Sequence, residues 1–101
     1  MKELKKVIDK TDVIAITPDK AMHNFVLCFK FDLALFVQAS QMYEPMALGP
    51  ILLSKRFAMF GDYYTLNPVC KSAEADKLGI TIPMHRRLSE NHPKKVVILR
   101  D

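Results

Sequence analysis

Apolar positions fall in short runs, broken by proline or glycine at Pro18, Pro45, Gly49, Pro50, Gly61, Pro68, Gly79, Pro83 and Pro93. Such punctuation yields elements of the length found in an α/β or α+β domain. Leu4, Val7 and Ile8 stand at i, i+3, i+4, which suits one or two helical turns over residues 2–10 or a frayed basic tail. Val13 to Thr17 is a short β-rich run and predicts a first strand. Thr17-Pro18-Asp19 reads as a helix start, with Thr as cap, Pro in the first turn and Asp at the positive dipole end.

The next segment fits two periods. At helical spacing Met22, Phe25, Val26, Phe29, Leu33, Phe36 and Val37 form one stripe. At strand spacing Phe25, Leu27, Phe29, Phe31, Leu33 and Leu35 alternate equally well. The run is long for one strand and follows a cap, which favours a helix from Pro18 to the late thirties. Residues 39–48 suit a loop and a short strand. Gly49-Pro50 then opens a second helix, with Leu53, Phe57, Phe60 and Tyr64 on its inner face and Gly61 as its stop.

Ser72 to Gly79 predicts a short helix, with Ser as N-cap and Gly just past the end. Residues 80–88 and Lys94 to Arg100 read as two strands of a hairpin across Ser89–Pro93. Pro83 places the first of them at an edge or a bulge. The expected fold is α/β (α+β): a small mixed sheet in βαβαββ order, with a C-terminal antiparallel hairpin and helices packed on the sheet. Residues 1–11 form a tail or short helix, and residues 12–101 a single domain.

Length and composition agree with one domain. The chain has 101 residues, 50% hydrophobic and 26% charged, too short for two cores and too apolar for disorder. Its most apolar stretch, Phe25 to Val37, carries Lys30 and Asp32 and is shorter than the roughly 20 residues a membrane span needs. The start does not read as a signal peptide, so a cytoplasmic protein with no membrane association is expected. Cys28 and Cys70 are too few for a disulfide framework, and neither belongs to a CxxC pair. Cys28 reads as an inert core thiol, and no metal site is expected.

No catalytic constellation emerges. His23, His85 and His92 pair with no nucleophile in sequence, the carboxylates are scattered singly, and phosphate loops of the GxxxxGKS or GxGxxG type are absent. Neither catalysis nor a cofactor is expected.

Charge is more informative. Lys plus Arg number 15 against 11 Asp plus Glu. Phe31 to Ser54 holds no Lys or Arg, whereas His85 to Arg100 holds Arg86, Arg87, Lys94, Lys95 and Arg100 against Glu90 alone. Near a hairpin tip, Arg86, Arg87, Lys94 and Lys95 would neutralise phosphates. A solvated edge hairpin guarded against aggregation accounts for the same residues. A helix-turn-helix over residues 72–88 also competes for them, with Gly79 in the turn and His85-Arg86-Arg87 on a recognition helix. Pro83 inside that helix and His85 at an aliphatic position count against it.

Asp12 to Leu27 (DVIAITPDKAMHNFVL) resembles the opening strand, lysine loop and first helix of the Alba family of small basic nucleic-acid-binding proteins. Ala47-Leu48-Gly49, followed by a segment with Lys55, is similar to that family's turn into its second helix. The resemblance implies a homodimer that binds DNA or RNA through Lys20 and two hairpin arms, with Asn24 near the surface. The sequence departs from the family pattern at Asp19, at Leu48 and in the extra length from Asn67 to Gly79.

The expected function is thus non-enzymatic binding of DNA or RNA, mainly through the phosphate backbone. The expected contacts are Lys20, Asn24, Arg86, Arg87, Lys94 and Lys95. A contrasting expectation is a protein–protein module or inhibitor, with Met42, Tyr43, Met46, Tyr63 and Tyr64 as an apolar surface for a protein partner.

Overall fold

Phe31 to Phe36 is a strand (β1), although the reading above places a helix there. The computed structural model describes residues 2–24 and 26–100, so Phe25 lies outside the described residues. The helix that begins at Pro18 (α2) ends at Ala21. Thr17 sits in extended geometry before it, but its hydroxyl bonds the Asp19 carboxyl, which is held below the usual range, and makes no cap bond. A 3-10 turn over Val26–Cys28 follows, and β1 then takes the period-two reading. Both periods fit the apolar run, and strand pairing decided between them.

The partner is Ser54–Met59 (β2), which lies where the second helix was expected. The two strands run parallel, from Phe31 opposite Ser54 to Phe36 opposite Met59. The backbone ladder continues past their ends, since Phe60 N–H donates to the Phe36 carbonyl and Ala39 N–H to the Phe60 carbonyl, both at 2.8 Å. Phe57 meets Phe36 edge-on, with ring centroids 6.4 Å apart. The expected stripe of Leu53, Phe57, Phe60 and Tyr64 is therefore not a helix face.

The helix between the strands (α3) is Glu44–Leu52, with Pro45 in its first turn. It begins earlier than expected, and Pro50 lies inside it rather than at its start. A proline this late removes one backbone bond near the end, where the helix already stops at Leu52. Gly49 faces α2, and a Cβ there would overlap the Met22 Sδ. Strands were expected at 13–17 and within 39–48, on either side of a helix from Pro18; neither forms, and the parallel pair is instead β1 and β2 around α3. Residues 13–17 pair with nothing by a strand ladder among the described residues.

The N-terminal helix (α1) is Lys2–Asp9 and buries no residue. The short helix Ala73–Lys77 (α4) forms as read. Ser72 Oγ accepts the Ala75 N–H at 3.2 Å. Gly79 takes φ +88°, its N–H reaches the Asp76 carbonyl and the Ile80 N–H reaches Ala75, which closes the helix with a paired C-terminal motif.

The expected C-terminal hairpin is absent among the described residues. Met84–Asn91 is a helix (α5), followed by a 3-10 turn at Pro93–Lys95. Pro83 cannot donate to a ladder, but it fits just before a helix, where it is fully buried with ψ 155°. Residues 96–100 carry no strand partner. The βαβαββ order accordingly reduces to a mixed α+β arrangement with a two-stranded parallel sheet.

The core is small and sits at the C-terminal end of β1. Phe36, Ala39, Ala47 and Met84 form it, with Met42, Ile51, Met59 and Leu88 packed around them. Cys28, expected in the core, is exposed, because its segment turns rather than continuing a buried helix. The accessible surface is 8379 Å², against about 5,800 Å² for a compact monomer of this mass. No helix among the described residues is long and apolar enough to cross a membrane.

Candidate nucleic-acid interface

Four of the six expected contacts come together, on a helix and turn rather than a hairpin. Arg86 and Arg87 lie on α5, and Lys94 and Lys95 on the 3-10 turn after it. Helix α5 forms because Met84 and Leu88, four apart, both reach the core while the rest of its surface is polar. Lys20 lies on α2 and Asn24 in the turn that follows, both exposed. That element packs on α3, whereas α5 packs on the turn at Ala39–Gln41.

The four cations are not equivalent. Arg87 donates Nε to Glu44 Oε2 at 3.0 Å and Nη2 to Glu44 Oε1 at 2.6 Å, and this carboxylate pushes its pKa up. Arg86 Nε bonds Glu90 Oε1 at 3.0 Å, and its guanidinium lies 5.9 Å from the centre of the Tyr63 ring. The Lys94 and Lys95 side chains are exposed and pair with no carboxylate among the described residues. Of the four, they are the cations most available to a phosphate.

A second polar group lies where the two strands end, and the sequence reading passed over it. The chain leaves β1 through Gln38, which is left-handed at φ 57°. It leaves β2 through Gly61, whose missing Cβ would stand 2.8 Å from the Ser40 amide nitrogen. Ser40 is fully buried, and its Oγ has no hydrogen-bond partner. His85 Nδ1 is buried and unpartnered as well. Burial pushes the His85 pKa below its ordinary value, and Asp62 partly offsets this. The Tyr63 ring meets His85 edge-on at 5.7 Å and stacks at a tilt on Tyr64 at 4.6 Å. In open α/β sheets, ligands gather outside the carboxyl ends of parallel strands.

No family model matches the chain. Curated relatives nevertheless align with it, several along 87–100% of its length. A DNA replication ATP-dependent helicase/nuclease of Arabidopsis thaliana is 33% identical over 101 residues, which is 100% of this chain and 8% of that protein. Its counterpart in Schizosaccharomyces pombe is 33% identical over 96% of this chain and 7% of its own length. That of Xenopus laevis is 34% identical over 87% of this chain and 8% of its own. The chain is homologous to a small part of these DNA-replication helicase/nucleases.

It spans less than a tenth of the length of the relatives it matches. The alignment with the Arabidopsis protein covers β1, β2, the strand-end group and the basic α5 unit together.

Proposed function

We propose that this chain is a non-enzymatic DNA-binding module of the kind carried within replication helicase/nucleases. It contacts phosphates chiefly through Lys94 and Lys95 at the end of α5. The observation that carries this reading is a basic turn, unpaired among the described residues, in a chain that aligns throughout with part of a DNA replication helicase/nuclease. Arg87 ties α5 to α3 through Glu44, Arg86 pairs with Glu90 within α5, and both add positive potential beside the lysines. Lysines address backbone charge rather than base edges, so sequence preference is weak.

Fluorescence anisotropy with labelled single-stranded DNA, duplex DNA and RNA at two salt concentrations tests it. Salt-sensitive DNA binding that weakens in Lys94→Ala/Lys95→Ala supports the reading. An absence of binding at low salt removes it, and a preference for RNA redirects it.

A second reading has one observation in its favour. Helices α4 and α5 are joined by a turn through Gly79, with Pro83 before α5 rather than inside it. That is a helix–turn–helix order, and it makes duplex DNA the preferred ligand. The same titrations separate the two readings, since a backbone-binding turn accepts single strands as well.

A further inference from the structure

Tyr63 and Tyr64 follow β2 on a turn that local hydrogen bonds hold in shape. Tyr64 N–H donates to Asp62 Oδ1 at 3.0 Å, Leu66 N–H to the Asp62 carbonyl at 3.1 Å, and Asn67 Nδ2 to the Tyr63 carbonyl at 2.9 Å. Tyr63 is half-buried against α5, where the Arg86 guanidinium lies 5.9 Å from its ring centre and His85 meets it edge-on. Tyr64 rests on Tyr63 with ring centroids 4.6 Å apart, yet it is 85% exposed. The pair is a two-ring stack, anchored on the basic helix at one end and open at the other. A ring already ordered by its neighbour loses little freedom when a ligand covers it.

The charges beside the stack are taken up. Arg86 pairs with Glu90, and the Asp62 carboxylate accepts from the Tyr64 amide. The stack therefore offers a planar π face rather than a phosphate site. The phosphate-binding lysines lie past the far end of the same helix. Its 8 residues span about 12 Å, or three to four nucleotides at about 3.4 Å each along one strand. A short strand thus reaches from the lysines to the tyrosines.

We infer that Tyr64 stacks on an unpaired base of the strand whose phosphates Lys94 and Lys95 hold. The inference rests on the DNA-binding reading and adds to it a contact that does not depend on salt. Proteins that hold single strands combine a basic track with aromatic rings, and any base stacks on such a ring. A duplex keeps its bases stacked on one another and presents no open base face to Tyr64, so the contact favours single strands.

Fluorescence anisotropy of the full chain tests it with three labelled probes: a single strand, the same strand with its central nucleotides abasic, and a duplex. The variants are Tyr64→Ala and Tyr64→Phe. Tyr64→Ala is expected to weaken the intact strand roughly fivefold to a hundredfold, with the salt slope unchanged. Tyr64→Phe keeps the ring and the parent's affinity, and duplex affinity is the same in all three proteins. The parent binds the abasic strand as weakly as Tyr64→Ala binds the intact one, a comparison independent of how any variant folds. Unchanged affinity of Tyr64→Ala for the intact strand overturns the inference, as does a parent that binds intact and abasic strands alike. The DNA-binding reading survives either result if Lys94→Ala/Lys95→Ala still flattens the salt slope, whereas a parent that binds no DNA at low salt removes both.

Discussion

Arg87 on α5 holds Glu44, the first residue of α3, through two parallel hydrogen bonds of 3.0 and 2.6 Å. These residues are 43 positions apart, so the pair ties the basic unit to the crossover helix between the strands. An arginine fork engaged on both arms is a clamp first and a phosphate ligand second.

Arg87→Ala is therefore expected to lower the urea midpoint with m unchanged, and to leave the slope of DNA binding against salt unaltered. Paired urea melts and anisotropy titrations check this. A lost slope with an unmoved midpoint would assign Arg87 to the ligand instead.

His85 gives a pH dependence of defined sign. Its folded pKa lies below the unfolded value of about 6.5, so the folded state favours the neutral ring. Its contribution is complete above about pH 6.5 and declines as pH falls through the window below, because the unfolded chain binds the proton first. His85→Leu removes the titrating group and its unpartnered Nδ1. Denaturation of parent and variant between about pH 6.5 and pH 5 should show a sloping stability in the parent and a flatter one in the variant.

Gly61 approaches the backbone of Ser40 more closely than any Cβ permits. Gly61→Ala is expected to cost about 1–3 kcal/mol, because backbone cannot yield as a flexible side chain does. Chemical denaturation reads the loss. A neutral result would mean that the two strand ends separate freely.

Gly79 tests the closure of α4. At φ +88° a Cβ is strained, although it would meet only the Ile82 Cδ1 at an ordinary 3.6 Å. Gly79→Ala is expected to destabilise by about 1–2 kcal/mol, again by denaturation.

What the sequence made legible follows the range of the forces involved. Ser72 and Gly79 act within a few residues of themselves, and both roles were readable. Pro18 was also right as a helix start, but nothing local says that α2 stops after one turn. The segment from Phe29 to Phe36 fits two periods, and β2, more than twenty residues later, selects the strand. The same pairing removed the expected helix over Phe57 and Phe60. Residues 80–88 were read as a hairpin strand with Pro83 at an edge or bulge, whereas burial of Met84 and Leu88 against Phe36 makes 84–91 a helix, as the competing helix-turn-helix reading had it for His85 to Arg87. The four expected basic contacts, Arg86, Arg87, Lys94 and Lys95, came from the charge distribution along the chain, and they lie on α5 and the turn after it. Lys20 and Asn24 rested on the Alba resemblance and sit on a different element. The Ser40–Gly61–His85 group was not legible, since three distant segments assemble it.

The central claim is that Lys94 and Lys95 neutralise DNA phosphates. The most direct measurement is the affinity for labelled single-stranded and duplex DNA across a salt series, for the parent and Lys94→Ala/Lys95→Ala. The account predicts linear salt plots, and loss of two contacts should flatten the slope by roughly 1.4 for single strands and roughly 1.8 for duplex. Equal slopes in parent and variant would contradict it.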